Sequence, residues 1–557
     1  MAEPRPASQE YTSWRPKPAS WTKLFGTFLV ALDPFKLAVA AAGIMATAIG
    51  WWLISVIFYS AWTEPKIEDF RAQANKKSSL GTEEERSAWA IREHEEALDR
   101  WALMHELAGP TQTPNATYAR YYQERNKDAT VKNLRLAHGY GGKYRAMPWA
   151  ENRGPNPFLM TRTVVSGSGE ERRSVIGQFM TYQLPNLIEP LLKFLTPVYY
   201  LFDHRAGFWT YVYLLLLILW LLVVWAFFGG VLTRMAVLQL TGKEGGGLRE
   251  SIAYVRRRYL SYLLSPLVPI ALIGFLVLCC MLFGVIHWIP GLGDFFDGIF
   301  WFLPLLAGLV MTLLLIGMVG YPMMYTTLST EGSDTFDALS RSYNYVYESP
   351  WHYLWYAFVA IVYGAVLTLF VVVVGSLTTY FAKWGVSKFP AWGSDRSPEY
   401  LFIYAPESLG WRKLLTEGSP AAINDLGQPT HPRYEEYMND YAWYNHAGAG
   451  MVSFWVTLVF LLVIGFSYSY FWTASTQMYL LMRKRVDETE MDEVYLEEEA
   501  AEPPSMGDTL APTPTTPTPT PTGPVSVPVD APTLKQPEKP PEPTPPADKP
   551  ADAGPTI

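Results

Sequence analysis

Two histidines, His94 and His105, stand eleven positions apart in a charged stretch, each followed directly by a glutamate, Glu95 and Glu106. That spacing is close to three helical turns, so both rings share one face of a helix. Zinc chemistry needs a tighter pattern. The HExxH or HxxEH order, which sets two histidines and a catalytic glutamate one turn apart, does not occur, and the pair reads as surface histidines. Gly245-Gly246-Gly247 follows Lys243-Glu244. A phosphate-cradling loop needs its glycines before its lysine, so this run reads as a flexible joint. Ser166-Gly167-Ser168-Gly169 lacks the GxSxG order of a nucleophile elbow. No acid–base or nucleophile constellation stands out, and the sequence points to no catalytic residue, metal site or cofactor. Asn115-Ala116-Thr117 matches a glycosylation sequon, which matters only on a eukaryotic secretory route.

The charges that do cluster suggest binding. Arg249 and the run Arg256-Arg257-Arg258, against Glu250, make one polar segment basic; Asp334, Asp337 and Glu348, against Arg341, make another acidic. A basic segment at a membrane surface attracts anionic lipid by ~1 kcal/mol per positive side chain. The acidic segment offers the alternative of pairing with the basic one, and the arginines have a plainer reading as topology signals. A third cluster follows Arg483-Lys484-Arg485, where residues 487–499 hold eight carboxylates around Val494, Tyr495 and Leu496. We read Tyr495 as the centre of a docking element for a partner protein. Nucleic acid is not an expected partner, since there is no basic tail and no zinc-finger spacing.

The elements that must position these groups are membrane spans. Only 17% of the 557 residues are charged, while 21 Trp, 34 Tyr and 28 Phe are present, a balance that fits aromatic belts at a bilayer. Apolar runs long enough to cross ~30 Å of hydrocarbon lie near 36–62, 208–232, 263–289, 299–323, 352–382 and 450–481. The first is too long and too far from Met1 for a cleaved signal peptide and reads as a signal anchor. The expected fold is an all-α integral membrane protein of about six transmembrane helices with interfacial amphipathic helices. No acid or base lies at the centre of a run, which disfavours a proton-coupled carrier. Cys279 and Cys280, adjacent in an apolar run, are expected to be inert thiols.

Arg234, Lys243, Arg249 and Arg256–Arg258 crowd the 233–262 loop, whereas the 290–298 loop has Asp294 and Asp297 and no Lys or Arg. The positive-inside rule then places both termini in the cytoplasm: the N-terminal segment 1–35, an acidic segment 482–502, and a Pro/Thr-rich tail 503–557 expected to be disordered. Two extracytoplasmic regions remain, 63–207 and 383–449. In the first, Thr82 and Glu85 form a capping-box pattern, and Leu187, Leu191, Leu192, Phe194 and Leu195 make an amphipathic stretch interrupted by Pro190 and Pro197.

Within the core, 208–382, an offset of 91 superposes 229–282 on 320–374: Gly229 on Gly320, Ser251 on Ser342, Tyr254-Val255 on Tyr345-Val346. Leu248, Ile252, Val255, Tyr259 and Tyr262 form a one-faced helical pattern, as do Phe336, Leu339, Tyr343 and Val346. Asp334 is a candidate cap and Pro350 a stop. The copies share one orientation, so we read a parallel repeat. Two ordinary loops between spans are the alternative.

The stretches LDPFKLAVAAAGIMATAIGWWLISVIFYS, GGVLTRMAVLQL, STEGSDTFDALSRSYNYVYESPWHYLWY and VDETEMDEVYLEEE resemble an uncharacterised family of bacterial multi-pass inner-membrane proteins. The middle part is more faintly similar to the membrane domain attached to some glycerophosphodiester phosphodiesterases. That resemblance implies a non-catalytic membrane module and carries over no functional residue. The expected function is a non-enzymatic component of the bacterial inner membrane that organises lipid or partner proteins. A permease for a neutral or amphiphilic solute, with its path between the repeat copies, is the alternative.

Overall fold

The computed structural model describes residues 20–77, 81–110, 142–151, 153–160, 177, 181, 184–243, 247–388, 398–423 and 429–496. The sequon at Asn115, the Ser166–Gly169 stretch, Gly245, Gly246 and the tail beyond 496 lie outside them. The main elements are α1 (Pro34–Ser60), α2 (Ile67–Lys76), α3 (Glu83–Ala108), α4 (Glu189–Leu201), α5 (Phe208–Leu240), α6 (Leu248–Ile286), α7 (Leu292–Phe300), α8 (Phe302–Met318), α9 (Tyr321–Glu331), α10 (Thr335–Glu348), α11 (Pro350–Ser387) and α12 (Trp443–Val486). Among the described residues the regular structure is helical, and the one β-type pairing is an isolated bridge, Ile423 to Pro429.

Five of these helices, α1, α5, α6, α11 and α12, are long and apolar enough to cross a membrane, and α7 with α8 forms a sixth candidate bent by 51°. Several overrun the apolar runs seen in the sequence. At 1.5 Å per residue the 39 residues of α6 extend about 58 Å, nearly twice the ~30 Å of hydrocarbon. The surplus turns carry the polar groups described below. Local chemistry explains the ends: Asp33 caps α1 by accepting from the Phe35 amide, with Pro34 at the first helical position. Thr82 and Glu85 close a reciprocal capping box on α3. Between α10 and α11, Ser349 leaves helical geometry immediately before Pro350, as the clash with a following proline ring demands.

α1, α5, α9, α11 and α12 enclose a core built largely of aromatic rings. Trp225 stacks on Tyr468 at 4.8 Å, Trp472 lies parallel to Tyr325 at 5.2 Å, and Tyr262 meets Tyr325 edge-on. Many of the aromatics expected in interfacial belts are therefore interior. They also tie helices together through backbone carbonyls. The Trp51 indole donates to Leu217 O, Trp220 to Ala46 O, and the hydroxyls of Tyr254, Tyr259, Tyr353 and Tyr470 to Leu328 O, Val223 O, Val319 O and Ala360 O.

One end of the bundle is capped. The C-terminal half of α3 packs on α1, with the Tyr59 hydroxyl 2.6 Å from His105 Nδ1 and Trp51 edge-on to Tyr144. The 398–423 segment joins the same cap: Trp411 is fully buried against Phe460, and the Ser408 amide donates to Trp149 O. Parts of the regions 63–207 and 383–449 thus meet in one cap.

The hairpin of α6, α7 and α8 is different. Only 6% of the most apolar stretch of α6 is buried, against 39–61% in the other four long helices. Phe275, Leu278, Leu282, Trp288, Phe295, Leu305 and Leu309 all point away from the chain's own core.

Two amphipathic patterns can be compared with the outcome. In α6, Val255 and Tyr262 are fully buried and Leu248, Ile252 and Tyr259 pack on the same core. In α10 the buried face is Ala338, Ser342, Tyr345 and Val346, and Phe336 is 68% exposed, contrary to expectation. Its rotation follows the close approach at Ser342, whose Oγ donates to Gly320 O at 2.7 Å, a contact a large residue there would prevent.

Candidate functional site

At the uncapped end, the C-terminal turns of α5 and the whole of α9 are buried side by side, with residues 229–238 and 321–330 shielded almost throughout. Arg234, which the charge count placed in a loop, lies inside this contact at 2% exposure. Its Nη1 donates to Ser329 O at 2.5 Å and to Tyr495 O at 3.0 Å, and its guanidinium stands 4.1 Å over the Tyr254 ring. Ser329 is itself held by Thr233 and Tyr262, at 2.9 and 2.7 Å.

The chain that reaches Arg234 is the C-terminal strap, residues 487–496, which folds back over the end of the bundle. The Tyr495 amide donates to Thr330 O at 2.8 Å, and Arg483 Nη1 donates to Glu493 O at 2.7 Å. Lys484 pairs with Glu490 at 2.7 Å. Arg258 donates to Gly332 O and stands 5.3 Å over the Tyr495 ring. Gly332 ends α9 in the left-handed conformation (φ +64°), and a Cβ there would meet the Tyr495 ring at 2.6 Å, so the turn serves both backbone and strap.

Glu331 is the hub beneath. It receives Arg341 at 2.9 Å, Arg483 at 3.4 Å and the Tyr479 hydroxyl at 2.7 Å. Arg341 also reaches Asp337 at 3.1 Å and Asp487 at 3.5 Å. Tyr345 donates to Asp487; burial, then that carboxylate, push its hydroxyl above the ordinary tyrosine range and keep the proton in place.

The expected site residues therefore separate. Arg258 and Tyr495 meet. Arg256 and Arg257 stay exposed on α6. Asp334 caps α10 through the Asp337 amide at 2.9 Å and Asp337 pairs with Arg341, so both serve their own helix. Tyr495 engages its own chain. Sequence reasoning missed Arg234, Glu331 and Arg483 as a unit; the adjacency of Arg483-Lys484-Arg485 to the acidic run was the one signal available.

A second network lies under the cap. Arg153 is 5% exposed and holds Glu189 in a two-point contact at 2.9 and 2.8 Å, while also donating to Glu151 at 2.6 Å, Pro148 O at 2.6 Å and Ser408 Oγ at 3.0 Å. Lys193 bridges Glu151 and Glu189 at 2.8 and 3.1 Å, and the Tyr468 hydroxyl donates to Glu189 at 3.2 Å. Burial alone would raise the Glu189 pKa, but Arg153 and Lys193 hold it well below the carboxylate range. Two bases and two acids saturate each other, so the network fastens α4 to the cap.

The two histidines do not converge. His94 Nε2 lies 3.2 Å from Pro65 O, and His105, stacked on Trp101, is held by Tyr59. Burial lowers the His105 pKa to about 4. Among the described residues no group of three or more His, Cys, Asp or Glu could hold a metal ion.

Fold and site together define an all-α, multi-pass membrane protein whose polar networks sit at the two ends of an aromatic bundle. No family model matches the chain, and comparison with curated proteins and with solved structures gave no match.

Proposed function

We propose that this protein is a non-enzymatic component of the bacterial inner membrane that organises lipid or a partner protein, with the strapped end in the cytoplasm. The observation that carries this reading is the α6–α8 hairpin, most of whose apolar side chains face outward and not into the core formed by the described residues. Apart from the contacts of α8 with Tyr343 and Tyr347 of α10, this hairpin offers its apolar surface to lipid or to a partner. The strap supports the partner half of the reading, since it ties the acidic segment to Glu331 and Arg234 and gives a tail-bound protein a direct grip on α9. The aromatic core supports the non-transport half. The cleft beside Trp225, Tyr321, Tyr325 and Trp472 has room for about 20 Å³, roughly one water.

The orientation rests on the basic residues of the strapped end and on the positive-inside rule. We also read 229–282 and 320–374 as copies of one unit. In support, a Cβ at Gly230 would meet Val255 at 3.0 Å and one at Gly320 would meet Val346 at 2.7 Å, two valines that the offset aligns, and each glycine precedes a buried helix end and then a second helix.

The test is recovery of proteins and lipids from native membranes in mild detergent with three chains: full length, ending after Leu496, and ending after Arg485. A stable partner present with the first and lost with either truncation supports the reading. Equal recovery of every protein and lipid by all three refutes the docking half.

A further inference from the structure

Arg234 carries its positive charge inside the bundle at 2% exposure and is paired with no carboxylate among the described residues. Its Nη1 has two acceptors, both main-chain carbonyls, Ser329 O and Tyr495 O. A buried arginine is ordinarily neutralised by an acid, as Arg153 is by Glu189 and Glu151. Here one of the two acceptors can leave, because Tyr495 belongs to the strap. The strap is largely exposed, and it turns away from α12 through Glu488 at φ +56°, a left-handed backbone that a residue with a Cβ rarely adopts. Because Nη1 bonds Tyr495 O directly, lifting the strap uncovers that nitrogen. Arg258 stands close by: the Arg234 and Arg258 guanidiniums lie 4.1 and 5.2 Å from the same Tyr254 ring. Glu331, next to Thr330 on α9, is already held by Arg341 and Arg483.

We propose that the strap is a removable cover over a phosphate site. With the strap lifted, Arg234 and Arg258 grip the phosphodiester of an anionic phospholipid, and a phosphate oxygen takes the place of Tyr495 O on Arg234 Nη1. Position selects a lipid. Arg234 follows the apolar run 208–232 by two residues, ~3 Å beyond its end along the axis of α5. On α6, Arg256 and Arg257 are exposed one turn before Leu260, itself 67% exposed. Charge selects an anionic one. Residues 487–499 hold eight carboxylates, so an anionic bilayer repels the strap and attracts the arginines it covers. The inference rests on the lipid half of the proposed function and adds the lipid's class and its control.

The experiment offers the full chain in detergent phosphatidylglycerol, phosphatidylcholine or soluble glycerophosphoglycerol. Retention is read by native mass spectrometry, with hydrogen exchange of residues 487–496 alongside. In the wild type, phosphatidylglycerol should speed exchange in the strap and phosphatidylcholine should not. Tyr495→Pro removes the amide bond to Thr330 O and the ring packed on Gly332; the side chain is exposed, so the bundle survives the change. It should raise retention of phosphatidylglycerol by about ten-fold, as for a site uncovered about one-tenth of the time in the wild type. In the Tyr495→Pro chain, Arg234→Gln should abolish that gain. Arg258→Gln, on a half-buried residue, should do the same and serves if Arg234→Gln does not fold. Retention of glycerophosphoglycerol at the level of the lipid identifies a soluble phosphodiester as the natural source; retention of the lipid alone identifies the bilayer. An equal gain for phosphatidylcholine, or a gain that survives Arg258→Gln, overturns the proposal. Equal retention of phosphatidylglycerol by wild type and Tyr495→Pro overturns the cover and leaves the lipid half of the function standing; no retention by either removes both.

Discussion

The bundle and the hairpin are made from similar residues and do opposite things with them. Around Trp472 every large ring is enclosed, stacked or hydrogen-bonded to a carbonyl, and charged groups seal both ends. Along α6–α8 comparable Leu and Phe side chains meet one another sparsely and otherwise face outward. Apolarity alone gives no drive for helices to associate in lipid, because hydrocarbon solvates Leu as well as another helix does. The bundle coheres through shape and many such hydrogen bonds, whereas the hairpin is tied through α8 by the hydroxyls of Tyr343 and Tyr347. In this molecule the aromatic and charged residues decide which spans belong together.

The comparison can be broken most forcefully at Arg153. Arg153→Ala leaves Glu189 and Glu151 to share the Lys193 charge, with the Tyr468 hydroxyl on Glu189, and should cost about 3–5 kcal/mol in detergent unfolding, as for other broken buried pairs. A cost no larger than that of Leu282→Ala, whose side chain is exposed and should matter by about 0.5 kcal/mol or less, would remove the distinction between the regions. Next comes Trp472→Ala, with an expected loss of about 3–4 kcal/mol from the cavity it opens, read as a lowered thermal midpoint.

His105 provides a pH test. Its pKa falls from 6.5 to about 4 on folding, so the unfolded chain takes up the proton first as pH drops. The stability it contributes is complete above pH 6.5 and is lost between 6.5 and 4, amounting to at most about 3 kcal/mol. Unfolding midpoints measured across that window should lose this slope in His105→Phe. The smallest effect sharpens the hairpin side. An environment-sensitive fluorophore on Cys279, which is exposed, should be quenched by brominated lipid, while one on Ala236→Cys, fully buried, should not.

The spans, the capping box at Thr82 and the break at Pro350 were all legible in the sequence, because each depends on residues within a turn or two of one another. The two polar networks were not. Arg234 meets Ser329 and Tyr495 across 95 and 261 positions, and Arg153 meets Ser408 across 255. A count of loop charges records that such a residue is basic and says nothing of what surrounds it. Phe336 failed for a related reason: periodicity cannot see that the close approach of Gly320 to Ser342 and Val346 rotates α10 so that Tyr345 is buried and Phe336 is left outside.

The hydroxyl and indole bonds to carbonyls have a mechanical consequence. Each joins a side chain of one helix to a fixed rung of another, and each contributes only about 0.6 kcal/mol in a bilayer. Their strength lies in position. A ratchet of one helix past its neighbour by a turn, about 5.4 Å, would pull every such bond along that seam off its rung at once. Sliding is therefore locked out between α1 and α5, α5 and α6, and α11 and α12. The hairpin is tied to the bundle at α8, where the Tyr343 and Tyr347 hydroxyls of α10 donate to Leu314 O and Leu313 O, so its far turn at α7 is the part of the molecule with room to swing.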